Sequence, residues 1–245
     1  MTNTKIISIG GWCRPAFQIK RHFLSRDGFQ AMNGPFDWTV TSFAALQNCL
    51  SANFAPETML DNDRLRISFA GSGMCATTGL IFHHAIGRKQ LNDIGQFSVG
   101  QQLKVNAETV DLISVARERF IHTYLTLKSL RDHDGQIVFV RWQRQGHPDR
   151  RFAEAFEGEN LATMTATLSE FLGHSGFRFL TVTSDITRGV TGPFADPVLE
   201  FETNGAGFNC RLQERMGWNG DQTSNFKGDD HSWSMALDRM VGALG

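Results

Sequence analysis

A cysteine that follows two glycines at the end of an apolar run is the residue of this sequence best placed for chemistry. Ile6-Ile7-Ser8-Ile9-Gly10-Gly11-Trp12-Cys13 reads as a short buried strand, a tight turn and the start of a helix. There the Cys13 sulfur faces the backbone N–H groups and positive pole of the helix, which favour a thiolate, and Arg14 adds a positive charge. Gly10 and Gly11 permit the sharp turn and leave room for a substrate carbonyl beside the amides around Gly11, Trp12 and Cys13, an oxyanion-hole arrangement. The competing reading is that Cys13 is a small buried hydrophobe, as free cysteines often are.

A thiol nucleophile needs a base, and His83-His84 close a strand expected over Thr77 to His83. Strand alternation lets one of the two face Cys13 and sends the other to the opposite side. His22, His122, His133, His147 and His174 read as solvated or capping residues, and Asp229-Asp230-His231 as a helix cap more than a base with its acid. Asp37, in Gly34-Pro35-Phe36-Asp37-Trp38, either orients a histidine or caps the next helix. Arg141, ending the strongest strand, suits a carboxylate or phosphate, while Arg150-Arg151 reads as a surface pair.

These residues need a frame. Buried strands are expected over Lys5 to Gly10, Gln136 to Trp142 and Phe177 to Thr183, with a strand at Arg64 to Phe69 and the one at Thr77 to His83. Helices are expected over Arg14 to Leu24, Thr39 to Leu50, Ala107 to Leu130, Asn160 to Leu172 and Ser232 to Leu244. Alternating strands and helices predict an α/β fold, a mostly parallel central sheet flanked by helices, in a single domain over 1–245 whose last forty residues are the least regular.

The 24 basic and 25 acidic residues, with no long run of like charge, argue against a nucleic-acid partner. No CxxC or CxH pair suggests a metal site. The short apolar stretch after Met1 is far below a membrane span, so no membrane span and a cytoplasmic location are the expectation.

The ordered set Gly10-Gly11-Trp12-Cys13, Phe17-Gln18-Ile19-Lys20 and Gly34-Pro35-Phe36-Asp37-Trp38 resembles a bacterial family of papain-like cysteine peptidases marked by GxxC, PFDW and FxH motifs. Ile81-Phe82-His83-His84 resembles its histidine motif, Arg117-Glu118-Arg119-Phe120 its basic central helix, and Gln136 to Arg141 its strand ending in Phe-x-Arg. The resemblance covers about the first 145 residues and implies a Cys13 nucleophile with His84 as its partner. Ala85 stands where the family has an acid, so a third member would come from Asp37, Asp185 or Asp230.

The leading expectation is therefore a cysteine-dependent acyl-transfer enzyme, a hydrolase without cofactor acting on a peptide or an acylated small molecule or saccharide. Catalysis would rest on Cys13, His84 and Asp37, with Gly11, Trp12, Arg14 and Arg141 binding substrate. The resemblance also brings in an acyltransferase that uses coenzyme A and acts on a surface polysaccharide or sugar, favoured by a basic cleft at Arg14 and Arg141. A different class is a non-catalytic module whose Gly10-Gly11 turn binds an anion or nucleotide.

Overall fold

In the computed structural model, residues 3–51, 55, 57, 59–96, 98–104, 106–144, 160–188, 193–205, 207–216 and 229–245 are described, so His147 and Arg150-Arg151 lie outside the described residues. The elements are β1 (Thr4–Ser8), α1 (Arg14–Phe23), β2 (Phe29–Ala31), α2 (Phe43–Leu50), β3 (Leu65–Ile67), β4 (Gly73–Cys75), α3 (Arg88–Asp93) and α4 (Ala107–Lys128). They continue with β5 (Ile137–Arg144), α5 (Leu161–Leu172), β6 (Phe177–Arg188), β7 (Val198–Asn204), β8 (Gly207–Met216) and α6 (Asp230–Leu244). Polar side chains start α2, α4 and α5: Ser42 accepts from the Ala45 amide, Asn106 from that of Thr109, and Asn160 from those of Ala162 and Thr163.

Six strands form one sheet in the order β2-β1-β5-β6-β8-β7, parallel throughout except for β7. It is the expected mostly parallel α/β sheet; Ile6 and Ile7 of β1 and Ile137 to Val140 of β5 are buried on both faces because helices cover both there, whereas β8 alternates buried residues with Asn209, Arg211 and Gln213. On one side Ile7, Phe139, Phe177 and Phe179 pack with Leu46 of α2, Phe120 and Tyr124 of α4, and Leu168 and Phe171 of α5. On the other, Ile6, Val138, Val140, Leu180 and Leu212 meet Ile19 and Phe23 of α1 and Trp233, Leu237 and Met240 of α6. Each fully buried large apolar side chain contributes about 1.5–3 kcal/mol, so both layers are firmly held. The phenylalanines work largely as edge-to-face partners, as in Phe139–Phe177 and Phe82–Phe120, whose centroids are 5.3 and 5.8 Å apart.

Three regions differ from the sequence expectation. The strand expected at Thr77 to His83 is a turn with isolated bridges from Ile81 to Val40 and Met74, because β4 ends at Cys75 and the chain reverses around Gly79. β3 and β4 form a separate antiparallel ribbon, so the histidines sit in a turn and not at the edge of the main sheet. Of the last forty residues, expected to be the least regular, 206 and 217–228 lie outside the described residues; the described part contains the ten-residue β8, paired along β6 in the sheet interior, whose buried Phe208, Cys210 and Leu212 have the period-two spacing of a strand.

Chain direction creates a switch point. From β1 the chain crosses through α1 to β2 on one side, whereas β5 pairs with β1 on the other. The β1–α1 turn therefore lies at the switch point of the sheet, outside the carboxyl ends of β1 and β5, where open α/β sheets bind ligands.

Candidate active site

Two glycines shape the turn before Cys13. Gly10 and Gly11 have φ of +84° and +88°, in the left-handed region that favours glycine. A Cβ on Gly11 would stand 2.2 Å from the carbonyl oxygen of Trp142, so the turn lies directly on the end of β5. Gly11 also bridges Thr41, while the wholly buried Arg141 donates from its two terminal nitrogens to the carbonyls of Ile9 at 2.9 Å and Thr41 at 3.0 Å. Arg141 thus ties the Gly10-Gly11 turn to the segment before α2.

Cys13 is the N-cap residue of α1 and is 3 % exposed. Burial pushes its thiol pKa up to about 11, against the smaller lowering effects of a backbone hydrogen bond and of Arg14. The expected thiolate is therefore corrected to a thiol. Arg14 gives little help because it is buried and its Nη1 donates to both carboxylate oxygens of Glu214 at 3.0 Å. Its guanidinium lies 4.2 Å from the centroid of the Trp142 ring. The Trp142 indole donates to Ser184 Oγ at 2.7 Å, Ser184 donates to Glu214, and Glu214 accepts from the Asp229 amide at 3.1 Å. This network locks the start of α1 to β5, β6, β8 and α6. The basic cleft expected for a coenzyme A phosphate is not formed by Arg14 and Arg141, since both are buried on protein partners.

The histidines approach from the turn after β4. His83 meets the ring of Trp12, the neighbour of Cys13, edge-on at 6.1 Å between centroids, and its Nδ1 lies 3.3 Å from Ser72 Oγ. His84 meets Trp38 edge-on at 5.4 Å, and the two imidazoles are 5.1 Å apart. Burial lowers the pKa of both, further for His83 through its neighbour His84, so they rest as neutral imidazoles. Among the described residues, no hydrogen bond joins Cys13 Sγ to either ring.

Neither expected role of Asp37 is what the structure holds. Its buried carboxylate pairs with Lys20 Nζ at 2.7 Å, and Ser42 caps α2 instead. Burial outweighs the Lys20 attraction and raises the Asp37 pKa to about 6. Asp185 pairs with Arg211, and Asp230 accepts from Gln18 Nε2 at 2.8 Å. Asp229 caps α6 through the amides of His231 and Ser232, and His231 Nε2 meets the Phe194 carbonyl at 3.1 Å. Lys20 also lies 5.2 Å from the Trp38 ring, so α1 braces the turn that carries His84's aromatic neighbour.

Beside His84 opens a cavity of about 320 Å³, lined by Pro35, Trp38, Phe82, Ala85, Ala116 and Phe120 among others. Sequence reasoning missed this pocket, the Ser72 contact and Glu214. The cavity needs α4 laid against the Pro35–Trp38 turn, and Glu214 lies 200 residues from its partner Arg14.

Among the described residues, no group of three or more His, Cys, Asp or Glu is placed to hold a metal ion, and no helix is long and apolar enough to cross a membrane. No curated protein and no solved structure matches the chain. A family model does: it covers residues 4–143, which hold the Gly10-Gly11-Trp12-Cys13 turn, His83 and His84 and nearly all of β5, and on that match over more than half of its length the chain belongs to the family described as "Putative papain-like cysteine peptidase (DUF1796)".

Proposed function

We propose that the protein is a cysteine hydrolase of peptides in which Cys13 attacks the scissile carbonyl and His84 carries the proton. The observation that supports it is the clustering at the switch point: Trp12, next to Cys13, touches His83, and His84 borders the cavity. The resting pair is a neutral thiol and a neutral imidazole, so His84 acts as a general base during attack. The Cys13 sulfur bonds to the acyl carbon as its proton passes to His84, and the amides of Trp12 and Cys13 receive the developing oxyanion. His84 then protonates the leaving amine as the C–N bond breaks. Water, deprotonated by His84, forms the new C–O bond, and the S–C bond breaks to restore the thiol.

The test is to trap the acyl-enzyme by mass spectrometry after mixing with an activated ester or peptide, and to measure turnover. A Cys13-linked acyl group is expected in the wild type and is expected to be absent from Cys13→Ser. His84→Ala should lose about 10²–10⁴-fold in turnover. The acid limb of kcat/KM against pH should fall below the ordinary histidine value of about 6.5, the direction in which burial moves His84. Turnover that persists in Cys13→Ala would overturn the reading.

The burial of Cys13 favours a second reading, a non-catalytic module in which the Gly10-Gly11 turn binds an anion and Cys13 is packing. It predicts no acyl adduct, and anion binding unchanged in Cys13→Ser. The hydrogen bond between His83 and Ser72 singles out His83 as the alternative base; in that case His83→Ala loses turnover and His84→Ala keeps it.

A further inference from the structure

The cavity beside His84 is built for a particular kind of group. A cavity of about 150 Å³ lined by apolar side chains holds benzene, so 320 Å³ admits an aromatic ring with its linker. Its aromatic and aliphatic wall of Pro35, Trp38, Phe82, Ala85, Ala116 and Phe120 suits such a ring.

The polar part of the lining is selective. Thr39 Oγ1 is used on the Phe36 carbonyl at 3.1 Å and on Thr41 Oγ1 at 2.7 Å, and Thr123 Oγ1 donates to the Arg119 and Phe120 carbonyls at 2.9 and 3.0 Å. Hydroxyls whose hydrogens are already engaged can only accept, so they offer a sugar no donor. Arg119 differs. It is exposed on α4 and lines the cavity, and among the described residues its guanidinium has no carboxylate partner. Its helical neighbours three and four residues away are Val115, Ala116, His122 and Thr123, none of them acidic. Arg14, Arg26, Arg211, Arg215 and Arg239 are each paired with an acid. A guanidinium at the edge of an apolar pocket favours a planar anion, which it can grip through two parallel hydrogen bonds.

We infer that this pocket receives an apolar, preferentially aromatic, residue bearing a free carboxylate, and that on a peptide this is the C-terminal residue, with Arg119 holding its α-carboxylate. The inference rests on the cysteine-hydrolase reading and narrows it to removal of the last residue of a chain. In the acylation step already described, the amine released as the C–N bond breaks is that of the C-terminal amino acid, and the remaining peptide is the acyl group on Cys13.

Binding and turnover test it separately. In Cys13→Ala, 3-phenylpropionate and 3-phenylpropionamide are titrated by calorimetry, with Arg119→Gln and Ala85→Leu added to that background. The carboxylate should bind about tenfold or more tighter than the amide, a preference lost in Arg119→Gln, and both should be excluded by Ala85→Leu, which narrows the cavity. With the catalytic cysteine intact, peptides ending in free phenylalanine should be cleaved about tenfold or more faster than their C-terminal amides, and Arg119→Gln should level the two.

Equal binding of acid and amide, or undiminished binding in Ala85→Leu, would overturn the pocket assignment. Equal turnover of free and amidated peptides would overturn the C-terminal specificity. Arg119-dependent binding with no turnover of any peptide would overturn the hydrolase reading and leave the pocket's ligand as assigned.

Discussion

The two sides of the candidate site are built from opposite materials. On the nucleophile side, two glycines, Arg14, Arg141, Ser184 and Glu214 interlock in a buried, hydrogen-bonded block tied to four sheet strands. On the histidine side, the imidazoles rise from a turn after a short ribbon and are held by the edges of Trp12 and Trp38 and by Ser72. On the proposed function, the difference separates fixing a nucleophile from moving a proton. An attacking atom gains from a wall that cannot relax, whereas a base that serves thiol, amine and water in turn gains from a looser mount.

Breaking the rigid side should cost stability first. Glu214→Ala leaves the Arg14 guanidinium buried without its counter-charge, and a loss of about 3–5 kcal/mol is expected in chemical denaturation. Gly11→Ala comes next: left-handed backbone and contact with the Trp142 carbonyl should together remove about 2–4 kcal/mol.

Asp37 gives a smaller effect that depends on pH. Its folded pKa of about 6 lies above the ordinary 3.8, so the folded protein binds a proton that the unfolded chain releases, and stability drops as pH rises between those values. Asp37→Asn should flatten that slope by on the order of 1–3 kcal/mol, seen by comparing denaturation midpoints at pH 4 and pH 7. The smallest effect belongs to the histidine side. His84→Ala should stay within about 0.5 kcal/mol of wild type in stability while losing turnover. A stability loss from His84→Ala as large as that from Glu214→Ala would erase the contrast.

Much of the frame is visible in residue patterns. The apolar runs of β1, β5 and β6 and the recurring Ile113, Phe120, Tyr124 and Leu127 of α4 fall where hydrophobic periodicity places them, and the Gly10-Gly11 turn follows from backbone sterics alone. β2, only three residues long, carries too few positions for a period to register. The charge state of Cys13 was hidden for another reason. Its helix terminus and Arg14 are local in sequence, but burial, which local sequence does not reveal, outweighs the lowering effect of Arg14. Arg141 shows the same limit: an arginine at a strand end reads as a ligand group until the carbonyls of Ile9 and Thr41 take its donors.

The long reach between Arg14 and Glu214 bears on how the molecule is made. Ribosomal synthesis delivers Cys13, the histidines and β5 well before residue 214 emerges, so during that interval Arg14 has no counter-charge and α1 has no clamp. The nascent chain therefore carries Cys13 and the histidines without the Arg14–Glu214 block, and the turn around Cys13 is completed only when the closing third of the polypeptide docks.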